Sequence, residues 1–406
     1  MIAPERVVEL ARKLGPDGVP AYVYDLSALD AHAAAIRAAI PRTVQFYYAV
    51  KANPDPAVLR TLARHADGFE VSSGGELAHA AAAAPGRPLA FGGPGKTPAE
   101  LAAALEPAGA LEPAGAPGSA APVFHVESPH ELALLDQAAR AAGRRADVLL
   151  PVNLAGPSGP DEQAALVMGG KPSPFRMDVE LLRRCAGSLT PALRLRGLHA
   201  HLASGVGADG LLAAARRLVS FGRQWCAAHG VTEPEFNLGG GMAVDYTRPD
   251  TVFDWPGYGR GLAGLARPGE TLRIEPGRAV TAYCGWYLTR VLDVKHSHGE
   301  AFAVVAGGTH HLRTPAAKGH DQPFAVIAVE DWAPPWLRPG VRDEAVTIAG
   351  QLCTPKDVLA RRVRVSQPRA LRVGDLVAFG LAGAYAWNIS HHGFGMHPPP
   401  AFHYLA

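Results

Sequence analysis

Four short segments carry residue types that could do chemistry together. The first is YYAVKAN (47–53), in which Lys51 follows a strongly apolar run. A lysine at the end of a buried strand loses hydration, which favours the neutral, nucleophilic amine. The second is NLGGGMAVDY, where Gly239, Gly240 and Gly241 let backbone N–H groups approach an anion with no Cβ in the way. The third is EPGR (275–278), which offers the Glu275 carboxylate and the paired donors of Arg278 for phosphate oxygens. The fourth is HAHLASG (199–205), with the His201 ring to stack and the Ser204 hydroxyl to donate. Each also has an ordinary reading: a snorkelling lysine, a glycine turn, a surface ion pair, a structural histidine.

The elements that must position them argue for the chemical reading. Eight β-rich runs, 45–50, 68–73, 89–94, 123–128, 147–154, 195–202, 235–241 and 272–277, alternate with Ala/Leu/Arg-rich stretches of helical spacing. Examples of the latter are Pro56–His65, Glu76–Ala84, His130–Ala142 and Leu211–His229. Eight alternations are what a (β/α)8 barrel requires, and such barrels build their sites at the C-terminal ends of the strands. Lys51, Ser72–Ser73, Gly92–Gly93, Glu127–Ser128, Asn153, His201, Gly239–Gly241 and Glu275 all stand at those ends. One lysine, a phosphate cradle, a carboxylate and a stacking imidazole on one barrel face describe a pyridoxal 5'-phosphate site.

After Arg278 the texture changes to strand-like runs separated by turns, with no long helical stretch. The expected fold is therefore an α/β chain: a (β/α)8 barrel over 28–280, and a β domain from 1–27 and 281–406 that the N-terminal AYVYD strand completes. The repeat LEPAGA (105–110, then 111–116) carries Pro and Gly in each copy and reads as a duplication in a surface loop, with a partner-binding segment as the alternative.

Composition narrows the function classes. The 406 residues include 39 Lys+Arg against 37 Asp+Glu, a formal charge of +2 with no polybasic stripe, which argues against nucleic acid as a partner. Hydrophobic residues at 48% suit a large core, and no apolar run approaches the ~18 residues of a membrane span. Cys185, Cys226, Cys284 and Cys353 are scattered without a CxxC pair, which fits a cytoplasmic location and no metal site.

The ordered set YYAVKAN, GFEVSSGGEL, GLHAHLASG, NLGGG, EPGR, LCTPKD and GAY resembles the fold-type III pyridoxal phosphate decarboxylases, the ornithine and diaminopimelate decarboxylase family. FGGPGKT (91–97), NLAGP (153–157), AGGTHHLRTP (306–315), GQLCTPKDVLA (350–360) and the segment 382–405 resemble the branch of siderophore biosynthesis that makes staphyloferrin B. The resemblance implies Lys51 as the Schiff-base lysine, Glu275 as partner of the pyridine nitrogen and His201 as the ring stacked on the cofactor. It implies Ser204, Gly239, Gly240, Gly241, Arg278 and Tyr385 as phosphate ligands, and Cys353 as an acid contributed by the neighbouring subunit of a homodimer. Two positions depart from the family pattern: Pro151 stands where arginine is usual, and Arg176 stands where glycine is usual.

The siderophore branch implies a small-molecule substrate in which 2,3-diaminopropionate is joined to citrate and is decarboxylated to an ethylenediamine unit. Such a substrate carries several carboxylates, for which Arg313, Lys356, His310, His311, His391 and His392 are candidate partners, although the His pairs can equally be ordinary loop residues. The alternatives are decarboxylation of free diaminopimelate or ornithine, an amino-acid racemase, and a cofactor-binding regulator without turnover.

Overall fold

The computed structural model describes residues 2–106, 121–154, 166–167, 170, 172–201, 203–365 and 370–406. Most of the LEPAGA duplication, and the last three residues of NLAGP, lie outside them. The chain divides into two compact units: one holds Asp30–Ala243 and Phe253–Val280, the other Met1–Leu29, Val244–Val252 and Thr281–Ala406.

The first unit is a closed barrel of eight parallel strands. They are β1 (Val44–Ala49), β2 (Gly68–Val71), β3 (Leu89–Phe91), β4 (Val123–His125), β5 (Ala146–Pro151), β6 (Leu193–His199), β7 (Glu235–Asn237) and β8 (Thr271–Ile274). β8 closes the ring by pairing with β1, with Arg273 opposite Gln45. All eight expected runs form strands, and the reason is physical. Strands buried on both faces read as short continuous apolar segments. Phe46, Tyr48, Phe69, Phe91, Phe124 and Phe236 are fully buried among them.

Short polar caps hold the strand ends rigidly. Asp55, Ser73, Thr97 and Ser128 each accept backbone N–H groups at the start of the following helix, at Pro56–Leu62, Gly74–Ala83, Pro98–Leu105 and Pro129–Ala141. Each such cap contributes about 1 kcal/mol, and together they fix where strand-end side chains point. At the opposite end of the barrel, Arg273 Nη2 lies 2.7 Å from Glu235 Oε1, both nearly fully buried. The Arg273 guanidinium also sits 4.0 Å from the Tyr47 ring centre.

The second unit is built on a mixed eight-stranded sheet. Its path runs Phe324–Ile327, Leu376–Phe379, Gly285–Ser297, Glu300–Val305, Ala345–Ala349 and Val358–Arg364. Ala21–Asp25 joins it antiparallel to Gly285–Ser297 and pairs parallel with Ala401–Leu405, so the N-terminal strand does complete the β unit. The helix Glu5–Leu14 carries Val7, Leu10, Ala11 and Leu14 on one face and buries Val7 and Ala11 against Ala21, Val23, Trp286 and Leu288.

Candidate active site

The barrel mouth gathers Lys51, Glu70, His125, His199, His201, Asn237, Glu275 and Arg176. Lys51 lies in a single 3-10 turn (Val50–Ala52) directly after β1. Its Nζ donates to Glu70 Oε2 at 2.5 Å and to Ser72 Oγ at 3.2 Å. The Lys51 side chain is 44% exposed, so the amine is held by a carboxylate and not, as the sequence suggested, by loss of water. Glu70 was not singled out from the sequence. Its signal was a charged residue inside the otherwise apolar, fully buried strand Gly68–Val71.

Glu275 follows β8 and is buried, 7% exposed. Asn237 Nδ2 donates to its Oε1 at 2.6 Å. Its ion-pair contacts among the described residues are the imidazoles of His125, at 3.9 Å, and His199, at 3.8 Å. Burial holds both imidazoles neutral, well below the usual histidine range. Burial, reinforced by the Glu70 charge, pushes the Glu275 carboxyl up to about 8. The contrast with Glu235 is informative: that structural buried carboxylate is paired directly with an arginine, whereas the groups in direct reach of Glu275 are an amide and two neutral imidazoles. The ligand atoms of His125, His199 and Glu275 lie within 4.8 Å of one another, a grouping that could also surround a divalent ion. The two histidines stack at 4.4 Å between ring centres.

His201 is fixed by the glycine run. The Gly240 N–H donates to His201 Nδ1 at 3.1 Å, and the Gly239 N–H donates to Asn237 Oδ1 at 2.9 Å. These two N–H groups are thus engaged in orienting site side chains. A Cβ on Gly240 would lie 2.5 Å from the Glu275 carbonyl oxygen, so only glycine lets the two strand ends approach. Desolvation, with the charges of Lys51 and Arg176, pulls the His201 imidazole down to about 3. Ser204 lies in the two-residue strand Ala203–Ser204, and Arg278 opens the short helix Arg278–Thr281.

The remaining expected site residues are in the second unit. Cys353 and Lys356 are exposed on the turn before Val358, and Arg313 is exposed beside His391, with Nη1 3.2 Å from His391 Nδ1. His310 is fully buried. Tyr385 has φ +50, a left-handed value that an aromatic residue adopts only when its surroundings hold it. The Thr314 hydroxyl donates to the Tyr385 carbonyl. Asp357 is buried and accepts from the Thr309 N–H at 2.6 Å, the Thr309 hydroxyl at 2.8 Å and the Leu352 N–H at 2.8 Å. The acid of the CTPKD turn is therefore consumed in joining two loops.

Residues 26–282 match the family described as pyridoxal-dependent decarboxylase, pyridoxal binding domain. The chain belongs to the pyridoxal-dependent decarboxylases. It is 35% identical over 391 residues to the Staphylococcus aureus (strain NCTC 8325 / PS 47) protein named 2-[(L-alanin-3-ylcarbamoyl)methyl]-2-hydroxybutanedioate decarboxylase, spanning 95% of this chain and 93% of that one. It is 31% identical over 402 residues to the L-glutamyl-[BtrI acyl-carrier protein] decarboxylase of Niallia circulans, spanning 94% and 87%. The diaminopimelate decarboxylase structure from M. jannaschii shares the fold, with TM-score 0.81, 23% identity and coverage of 98% and 89%.

This decarboxylase uses pyridoxal 5'-phosphate and a small-molecule substrate. The barrel-mouth residues fit the cofactor. The buried Glu275 carboxyl, which burial keeps protonated, suits a basic ring nitrogen, the neutral His201 ring offers a flat face, and Lys51 offers an amine. No helix among the described residues is long and apolar enough to cross a membrane.

Proposed function

We propose that this decarboxylase removes the α-carboxylate of a 2,3-diaminopropionate unit joined to citrate, leaving an ethylenediamine conjugate for siderophore assembly in the cytoplasm. The observation that carries this reading is the 35% identity, over 95% of the chain, to a decarboxylase whose named substrate is a hydroxytricarboxylate amide of an alanine unit. The second unit agrees with it by charge. A free basic amino acid needs an acidic pocket, but Asp357 is enclosed, with Gly308 and Gly350 packed against its carboxylate. Arg313 and Lys356 are left exposed for a polycarboxylate.

The chain's own groups then have definite tasks. Lys51 holds the cofactor, and Glu70 Oε2 accepts the proton that its amine must give up. Glu275 Oε1 is taken by Asn237, so Oε2 is the oxygen that would hold the proton burial retains, facing the pyridine nitrogen. His201 packs on the ring as a neutral imidazole, since a charged one would repel the protonated ring. Ser204, Gly241 and Arg278 hold the phosphate, while Gly239 and Gly240, whose N–H groups are taken by Asn237 and His201, keep the cradle open by lacking a Cβ. The bound cofactor supplies an electron-accepting ring for the pair left when CO2 departs. Cys353, from the neighbouring subunit of a homodimer, returns a proton from Sγ to that carbon.

The test is CO2 release across a substrate panel. The citrate conjugate should be turned over at least about a hundredfold faster, in kcat/KM, than diaminopimelate, lysine or ornithine. Efficient use of free diaminopimelate would overturn the substrate reading in favour of lysine biosynthesis.

A further inference from the structure

The two departures from the family pattern, Pro151 and Arg176, meet in space. β5 ends at Pro151, whose carbonyl accepts the Met177 N–H at 2.9 Å, while the Asn153 N–H donates to the Met177 carbonyl at 2.7 Å. Val152 and Met177 form a parallel bridge. The segment bearing Arg176 is thus stitched along the strand end that carries proline. An apolar ring there gives that strand end no charge of its own, and the cation beside it comes from Arg176.

The backbone of Arg176 is specially held. Its φ is +67, the left-handed region where a side chain costs about 1 kcal/mol and glycine costs nothing. The Arg176 N–H donates to Glu127 Oε2 at 2.5 Å, from the loop after β4, which keeps that conformation in place. Arg176 is 8% exposed, so its long side chain is packed inside the barrel mouth. From there Nη1 donates to the main-chain carbonyl of His201. His201 is consequently gripped from two sides: its carbonyl by Arg176 and its Nδ1 by the Gly240 N–H. A strained, buried arginine retained at a position that would relax as glycine points to a task for its side chain.

We infer that Arg176 is a positioning residue of the active site, holding the main chain of His201, and through it the imidazole face, by its guanidinium–carbonyl hydrogen bond. The inference rests on the reading of His201 as the ring stacked on the cofactor. It predicts that Arg176 affects cofactor binding only as far as His201 does.

The experiment titrates the apoprotein with pyridoxal 5'-phosphate, following the absorbance and visible circular dichroism of the bound cofactor, for wild type, R176G, R176M, H201A and R176G/H201A. Glycine accepts φ +67 without strain, so the R176G apoprotein should melt within a few degrees of wild type. R176M keeps an apolar stem without the donor and reads the same contact if the glycine variant melts early. Both should bind the cofactor about tenfold more weakly, the worth of a charge-assisted hydrogen bond, with an altered dichroic band. The double variant should bind no more weakly than H201A alone, because the two residues act through one ring. Wild-type affinity in R176G and R176M beside a weakened H201A would overturn the inference alone, as would additive losses in the double variant. Wild-type affinity and dichroism in H201A would overturn the stacking reading, and this inference with it.

Discussion

Lys51 Nζ lies 2.5 Å from Glu70 Oε2, so the amine at the barrel mouth has a carboxylate partner before any cofactor arrives. The contact is a consequence of strand register. Ala49 at the end of β1 pairs with Glu70 in β2, and the turn after Ala49 swings the lysine back over that neighbour. A proton acceptor at hydrogen-bond distance is what an ammonium needs to become a nucleophile.

The pairing makes Glu70 testable apart from Lys51. Borohydride reduction and peptide mapping should place the pyridoxyl label on Lys51 and on no other lysine. In Glu70→Gln the label should still reach Lys51, but attachment of the cofactor, followed by absorbance, should slow by about a hundredfold.

Glu275 yields a pH prediction. Its folded-state carboxyl titrates near 8, above the unfolded value, because burial and the Glu70 charge oppose ionisation. Between the two values the native apoprotein holds a proton that the unfolded chain has released, so stability falls as pH rises through that window. It is fully present below the unfolded carboxylate range and lost above about 8. The wild-type apoprotein should therefore lose stability across the window, by about 1.36 kcal/mol for each pKa unit it spans. Glu275→Gln should lack this slope in urea unfolding at pH 5 and 8.5, and should bind the cofactor far more weakly.

Asp357 should behave as a structural acid. It accepts three hydrogen bonds from Thr309 and Leu352 while buried. Asp357→Ala orphans those donors and should cost about 3 kcal/mol or more, seen as a fall in Tm. Asp357→Asn should lose less stability and leave KM for the citrate conjugate nearly unchanged. A large rise in KM without loss of Tm would assign Asp357 to the substrate instead.

Shared sites can be detected by complementation. Lys51→Ala and Cys353→Ala, each inactive alone, are mixed under subunit exchange. With the site built across a two-fold dimer, each mixed dimer has one intact site, and random pairing restores about a quarter of wild-type activity. If both residues act from one chain, every site keeps a lesion and mixing restores nothing.

The barrel and its cofactor chemistry were legible in the amino-acid sequence because both are locally encoded. Parallel strands buried on two faces appear as apolar runs, and Lys51, His201, Gly239–Gly241 and Glu275 follow those runs directly. The AYVYD strand was legible for the same reason, as five consecutive buried residues. Tertiary structure alone decided the pairings between strand ends. Glu70 meets Lys51, His125 stacks on His199, and Arg176 reaches His201, each joining residues of different strands or loops whose neighbourhood depends on how the ring closes. The two departures looked unrelated along the chain. Hydrogen bonds from the Met177 N–H to Pro151, and from the Asn153 N–H back to Met177, bring them side by side. The same physics separated the two acids. Asp357 and Glu275 are both carboxylates beside apolar runs, but three donors surround one, while a single amide and two neutral imidazoles surround the other. Residue type determined what each group could do; the desolvation and partners set by the fold decided that Glu275 holds on to its proton.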